Sequence, residues 1–350
     1  MFRRFFVPLD GSPRAEKAIP VAASLARASS GSVILARVLV PPMHEEYAAN
    51  IMANETQLIQ NEEQSEASTY LNEVLERYEQ VLAGLHLILE VAPETKTVSA
   101  TLLSLAEQEH TDLIVMCSRG ESHLKRWIVG SIAQSALRQS PLPILALNEH
   151  DTVQVLDDVS HPLHLLVPLD GSPLAEAVLQ PLRQFISLLP TTQPHELHLL
   201  QVVTVPPAVG RFRSGAYVTD MLQQDEQEKA EKYLASLAHS LSVNGFDKTK
   251  FVITTEVRIS TDVAGTVLAL ARAETPQAGA AYDLIALATH GRSGLKRAFM
   301  GSVTEHIFGS THLPLFVVCP PASEAERRAA KSKGQHPLSL EAPQGPVGLL

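Results

Sequence analysis

Val7-Pro8-Leu9-Asp10-Gly11-Ser12-Pro13 recurs letter for letter as Val167-Pro168-Leu169-Asp170-Gly171-Ser172-Pro173. Seven identical residues in the same order mark a duplication, one structural unit used twice. A second landmark follows in each copy. Gly120, nine residues and Gly130-Ser131 return as Gly291, nine residues and Gly301-Ser302. The offset is 160 residues at the first landmark and 171 at the second, so copy two carries eleven extra residues in between. Part of the excess falls at residues 274–281, rich in Ala, Gly and Pro, which read as a lengthened loop.

Working outward from the first landmark, residues 5–9, 33–40, 85–91, 113–117 and 143–147 read as apolar strands. Runs apolar on both faces are what parallel strands covered by helices look like. Helical patterns separate them, over 13–28, 98–109 and 131–139. A longer helix carries Tyr70, Leu71, Val74, Leu75, Tyr78, Val81 and Leu82 on one stripe. Copy two repeats the order, with strands expected at 163–169, 197–205, 251–257, 284–288 and 315–319. The alternation predicts an α/β chain of two tandem doubly wound, Rossmann-like domains, each an open parallel sheet with helices on both faces. Domain one is expected at 1–148, a linker at 149–161, domain two at 162–320, and a C-terminal tail without fixed structure at 321–350.

The 350 residues suffice for two such domains. With 45% hydrophobic and 19% charged residues the composition is that of a globular protein. The net charge of −10 repels phosphate backbones, so nucleic acid is not an expected partner. Positive charge is local, in Leu124-Lys125-Arg126 and Leu295-Lys296-Arg297, and suits a small phosphate ligand. Two cysteines, Cys117 and Cys319, lie in apolar runs and read as buried thiols of a reducing compartment. No signal peptide and no membrane span are expected, and the expected location is the cytoplasm.

Ligands of such sheets bind at the carboxyl ends of the strands, where the strand order reverses, and both landmarks fall there. The segment from Cys117 through Gly120 to Gly130-Ser131-Ile132 leaves a strand and opens a helix. Glycines let backbone amides approach a phosphate, and a helix start adds free N–H groups and a favourable dipole. Ser131 and its counterpart Ser302 could add a hydroxyl, or could simply cap their helices. Asp10 and Asp170 could hold a ribose hydroxyl or a phosphate-bound metal, or could bond their own turns, as Asp-Gly pairs do. Standard phosphate-loop and dinucleotide glycine motifs are absent, as is a hydrolase nucleophile elbow. His195 with His198, and His161 with His164, are three residues apart. On a strand that sends the rings to opposite faces, against a shared metal.

Val-Pro-Leu-Asp-Gly-Ser, with Ala-Thr-His-Gly-Arg-Ser-Gly-Leu-Lys-Arg-Ala-Phe-Met-Gly-Ser at 288–302, resembles the universal stress protein family. The resemblance implies a flavodoxin-like, five-stranded sheet of order 3-2-1-4-5 in each copy, and ATP, ADP or AMP, with Mg, at the first and fourth strand ends. It places adenine and ribose near Pro8, Asp10 and Val38 and phosphates near Gly120, Gly130 and Ser131, with Met116, Cys117 and Ile132 lining the same site. In copy two it implies Pro168, Asp170, Val202, Leu287, Ala288, Gly291, Gly301, Ser302 and Val303. Any metal would be held only through the nucleotide, by Asp10 or Asp170. Both copies depart from the Gly-x2-Gly-x9-Gly-Ser/Thr motif at its first glycine, which is Cys117 or Ala288. Copy one also has Arg119 and His123 where copy two has His290 and Gly294. Alanine is the smaller intrusion, so copy two is the better expected site. The resemblance also implies pairing of the domains through residues 143–147 and 315–319 within the chain, with a homodimer as a further arrangement.

The function this implies is a nucleotide-binding stress-response or signalling protein with little or no catalytic turnover. A nucleotide-free interaction scaffold or dimerisation module is the alternative. An adenylate-forming ligase or a phosphoacceptor receiver would need motifs that the sequence lacks.

Overall fold

The computed structural model describes residues 2–40, 53–117, 130–148, 161–204, 213–244, 246, 250–272, 281–289 and 300–320. Copy one runs β1 (Arg4–Leu9), α1 (Pro13–Glu16), α2 (Ala18–Ser29), β2 (Ser32–Leu39), α3 (Ala53–Arg77), α4 (Glu79–Leu82), β3 (His86–Pro93), α5 (Val98–Gln108), β4 (Leu113–Cys117), α6 (Ser131–Gln139) and β5 (Ile144–Leu147). Copy two runs β6 (His164–Leu169), α7 (Pro173–Glu176), α8 (Leu179–Ile186), β7 (His195–Val203), α9 (Arg213–Asn244), β8 (Phe251–Ile259), α10 (Val263–Arg272), β9 (Leu284–Ala288), α11 (Ser302–Ser310) and β10 (Leu315–Val318).

The strand order is β3-β2-β1-β4-β5-β10-β9-β6-β7-β8. Each half keeps the expected 3-2-1-4-5 order with parallel neighbours. The halves are not two separate sheets, however. β5 and β10 pair antiparallel, with Leu315 opposite Ala146, Phe316 opposite Leu145 and Val317 opposite Ile144. The two five-stranded halves are therefore continuous as one mixed, ten-stranded sheet. Both joining strands are buried throughout, and an exposed edge of that composition would invite pairing.

Alternation along the strands fills two layers. Phe5, Val7 and Leu9 pack with α2, α3, α8 and α9 on one face. Phe6, Ile34 and Met116 pack with α5, α6, α10 and α11 on the other. The His195 and His198 rings follow this rule. His195 is buried beside Phe251 in the first layer, and His198 meets Tyr282 in the second. Among the described residues no group of three or more His, Cys, Asp or Glu could hold a metal ion, and no helix is long and apolar enough to cross a membrane.

The single helix expected at 13–28 is two, broken at Lys17, and copy two breaks at Ala177. The cause is Pro20, which has no N–H for the Glu16 carbonyl and crowds it; Pro181 does the same to Ala177. Cys117 and Cys319 are partly rather than fully buried. The lengthened loop lies almost wholly outside the described residues. So do the linker, apart from His161, and the C-terminal tail.

Candidate functional site

β1 and β4 pair only at Phe5–Leu113 and Phe6–Ile114, whereas β1 and β2 stay paired through Leu9–Arg37. Two residues past that last rung stands Pro8, which has no N–H with which to extend the ladder. Copy two repeats this, pairing β6 with β9 only at Leu165 and Leu166 before Pro168. The sheet thus opens at the point where its strand order reverses, and each half has a cavity there. Cavity one, in copy one, holds about 460 Å³, and cavity two about 560 Å³.

The floor is set by the repeated turn. Gly11 and Gly171 have φ of 90° and 79°, a conformation that glycine adopts without a Cβ penalty. That turn brings the Ser12 N–H to Asp10 Oδ1 and the Ser172 N–H to Asp170 Oδ1, each at 2.9 Å. Ser172 Oγ also donates to Asp170 Oδ1, at 2.6 Å. Each aspartate therefore bonds its own turn through one oxygen while lining the cavity. Ser12 and Ser172 go on to cap the following helices, accepting from Ala15 and Ala175.

The opposite wall is the start of α6 or α11. Gly130 and Gly301 are the N-caps and neither helix has a side-chain cap, so capping is not the role of Ser131 or Ser302. Both serines are exposed in the first helical position. First-turn amides without a side-chain acceptor and a hydroxyl beside them form an anion-binding arrangement. The Gly301 N–H donates to the Thr289 carbonyl at 2.8 Å, and a Cβ on Gly301 would stand 3.2 Å from that oxygen. Thr304 Oγ1 donates to the Ala288 carbonyl at 3.1 Å, tying β9 to the helix it feeds.

All the described residues assigned from the resemblance fall on these cavities. Pro8, Asp10, Val38, Met116, Cys117, Gly130, Ser131 and Ile132 line cavity one. Pro168, Asp170, Val202, Leu287, Ala288, Gly301, Ser302 and Val303 line cavity two. Gly120 and Gly291 lie outside the described residues, as do Arg119, His123, His290, Gly294 and the two basic clusters.

Sequence reasoning missed the third wall. α3 and α9 each carry Glu-Gln-x2-Ala-x2-Tyr-Leu, as Glu63, Gln64, Ala67, Tyr70, Leu71 and as Glu226, Gln227, Ala230, Tyr233, Leu234. Buried Ala67 and Ala230 let these helices approach the cavities, with Glu63 and Glu226 on the lining. The tyrosine hydroxyls donate to the helix after the turn: Tyr70 to Glu16 at 3.0 Å and Tyr233 to Glu176 at 2.9 Å. Burial and Glu16 together hold the Tyr70 proton well above the usual tyrosine range. In copy one Arg77 also reaches Glu16, at 2.7 and 2.6 Å. The repeat at an offset of 163 is the signal available in the sequence, where periodicity gives Tyr70 and Leu71 only as a packing stripe.

The pattern of the universal stress protein family is matched twice, over residues 1–148 and 163–319. A universal stress protein of Methanocaldococcus jannaschii is 27% identical over 162 residues, which is 46% of this chain and 84% of that protein. One of Mycobacterium tuberculosis is 25% identical over 211 residues, 59% of this chain and 61% of that protein. Among solved structures, a universal stress protein from Archaeoglobus fulgidus aligns with a TM-score of 0.60 at 17% identity, covering 90% of this chain and 98% of that one. The last is a likeness of fold. Two cavities of one design, repeated with their landmarks, agree with the two matches, and the chain belongs to the universal stress protein family.

Proposed function

We propose that the chain is an adenine-nucleotide-binding stress-response or signalling protein of the cytoplasm, with one site in each copy and little or no catalytic turnover. The observation that carries this reading is the convergence on each cavity of a carboxylate at the first strand end and an uncapped helix start at the fourth. Such a cavity suits a nucleotide. The amides of the first turn of α6 or α11, with Ser131 or Ser302, would hold phosphate oxygens. Asp10 or Asp170 would accept from a ribose hydroxyl. Pro8 and Val38, or Pro168 and Val202, would lie against the base. A magnesium ion would arrive with the phosphates and draw on Asp10 or Asp170 alone.

Titration calorimetry of the full chain, stripped of ligand, with Mg-ATP tests this by its stoichiometry. Two sites are expected. One site would leave Cys117, at the first motif position of cavity one, as the residue that closes it. The second reading, an interaction scaffold with vacant cavities, is favoured by the side chains of Cys117 and Ala288 where the motif has glycine. No binding by calorimetry or by an independent method would establish it. We read the β5–β10 junction as the pairing of two family domains within one chain. Light scattering should then give a mass near 38.0 kDa, and twice that mass would indicate a homodimer.

A further inference from the structure

The two cavities share their floor and helix wall but differ at the end of the second strand. Arg37 in β2 and Gln201 in β7 hold equivalent register, opposite Leu9 and Leu169, the residues just before Asp10 and Asp170. Each lines its cavity. The Arg37 guanidinium lies against the Asp10–Gly11 turn: a Cβ on Gly11 would stand 3.2 Å from Nη1 and 3.4 Å from Nη2. It stacks on Tyr70, 4.5 Å from the ring centroid. Among the described residues it makes no hydrogen bond or ion pair, so its donors are unspent. The ring beneath holds it as a planar fork, the shape that matches two phosphate oxygens.

Gln201 is the opposite case. It is 7% exposed, and its Oε1 is buried with no hydrogen-bond partner. Buried acceptors are nearly always satisfied, and this one asks for an N–H or O–H donor. The ammonium of Lys229, which also lines cavity two, is turned to Asp225 at 2.7 Å and Glu226 at 2.9 Å.

In open α/β sheets that hold a nucleotide, a hydrogen-bond acceptor beside the ribose takes its hydroxyl, and an arginine there takes a phosphate attached to that hydroxyl. We propose that the cavities are specialised for differently substituted riboses. Cavity one takes a nucleotide with a second phosphate on its ribose, gripped by Arg37. Cavity two takes one with free ribose hydroxyls, one of which donates to Gln201. The proposal rests on the nucleotide reading and deepens it. Glu63 and Glu66 on the cavity-one lining oppose a second anion, but Glu66 is exposed, where salt screens it.

The test titrates the stripped full chain with AMP and with adenosine 2′,5′- and 3′,5′-bisphosphates. AMP should fill two sites, and a bisphosphate should fill one site more tightly than AMP does. R37Q should lower the bisphosphate-to-AMP affinity ratio about tenfold or more, the value of a charge-assisted phosphate contact. R37K, which keeps the charge without the fork, should fall between, with thermal melts confirming that each variant folds. Q201R should raise the bisphosphate stoichiometry from one to two. If AMP fills both sites but neither bisphosphate binds better than AMP, or R37Q leaves the ratio unchanged, the specialisation is overturned and the nucleotide reading stands. If no adenine nucleotide binds, both fall together.

Discussion

Gln134 of α6 and Glu305 of α11 hold the same place in the two copies, three residues after Ser131 and Ser302, and Gln134 Nε2 donates to Glu305 Oε1 at 2.9 Å. Arg138 Nη2 shares that oxygen at 2.6 Å. The helices whose first turns face the two cavities therefore touch one turn further along. This contact is partly exposed, with side-chain exposures of 31% for Arg138 and 45% for Glu305.

Exposed ion pairs of this kind contribute little, so Glu305→Ala should cost less than about 1 kcal/mol, and the cost should shrink as salt is added. Phe316, one residue of the β10 rung that joins the halves, is fully buried and stacks on Phe185 at 5.1 Å. Phe316→Ala should cost about 3–5 kcal/mol. Urea unfolding of both variants separates the terms. A larger loss from Glu305→Ala than from Phe316→Ala would show that helix contacts, not the strand junction, hold the copies together.

Glu16 is 2% exposed and receives Tyr70 and both contacts of Arg77, whereas Glu176 is only half-buried and receives Tyr233. Removing the more buried and more fully bonded carboxylate strands more partners. Glu16→Ala should destabilise by about 2–4 kcal/mol and Glu176→Ala by about 1–2 kcal/mol. Equal losses in denaturant melts would mean that Arg77 adds nothing.

Burial lowers the proton affinity of both His195 and His198, against the partly compensating pull of Glu256 on His198. His195 Nδ1 accepts the Leu163 N–H at 2.9 Å, which requires the neutral ring. The unfolded chain, with histidines near pKa 6.5, therefore binds more protons below that pH than the folded chain does. Stability should be fully present above about pH 6.5 and should fall as the pH drops below it. His195→Asn, whose Oδ1 can take over the Nδ1 contact, should flatten the dependence. Urea midpoints from pH 7.5 down to pH 5 measure it, and an unchanged slope in the variant would assign the effect elsewhere.

Gly301 has an ordinary backbone conformation, φ −59° and ψ 142°, so a side chain there meets resistance from packing and not from strain. Its Cβ would press on the Thr289 carbonyl and fill the mouth of the α11 helix start. Gly301→Val should keep a cooperative melt and lower the nucleotide stoichiometry from two to one. Retention of both sites at unchanged affinity would remove α11 as a phosphate site.

Much of this is legible in the sequence because it depends on local chemistry. The Asp-Gly-Ser-Pro turn, the strand periodicity and the spacing from strand end to helix start are each decided within about twenty residues, and the duplication printed them twice. The double layer of helices follows from strands apolar on both faces. Even the break at Lys17 could have been found, since Pro20 stands four residues after Glu16.

The rest depended on which distant surfaces met. Glu16 and Tyr70 are 54 residues apart, and nothing in either neighbourhood announces the other. Arg37 and Gln201 are both polar residues in otherwise largely apolar strands, and only packing places one guanidinium over a ring and leaves one amide oxygen buried without a donor. By itself, then, the sequence determined two copies of an α/β unit and the addresses of their cavities, because periodicity and turn chemistry are local. Only the tertiary structure decided how the two cavities differ, because that follows from side chains brought together across long stretches of chain.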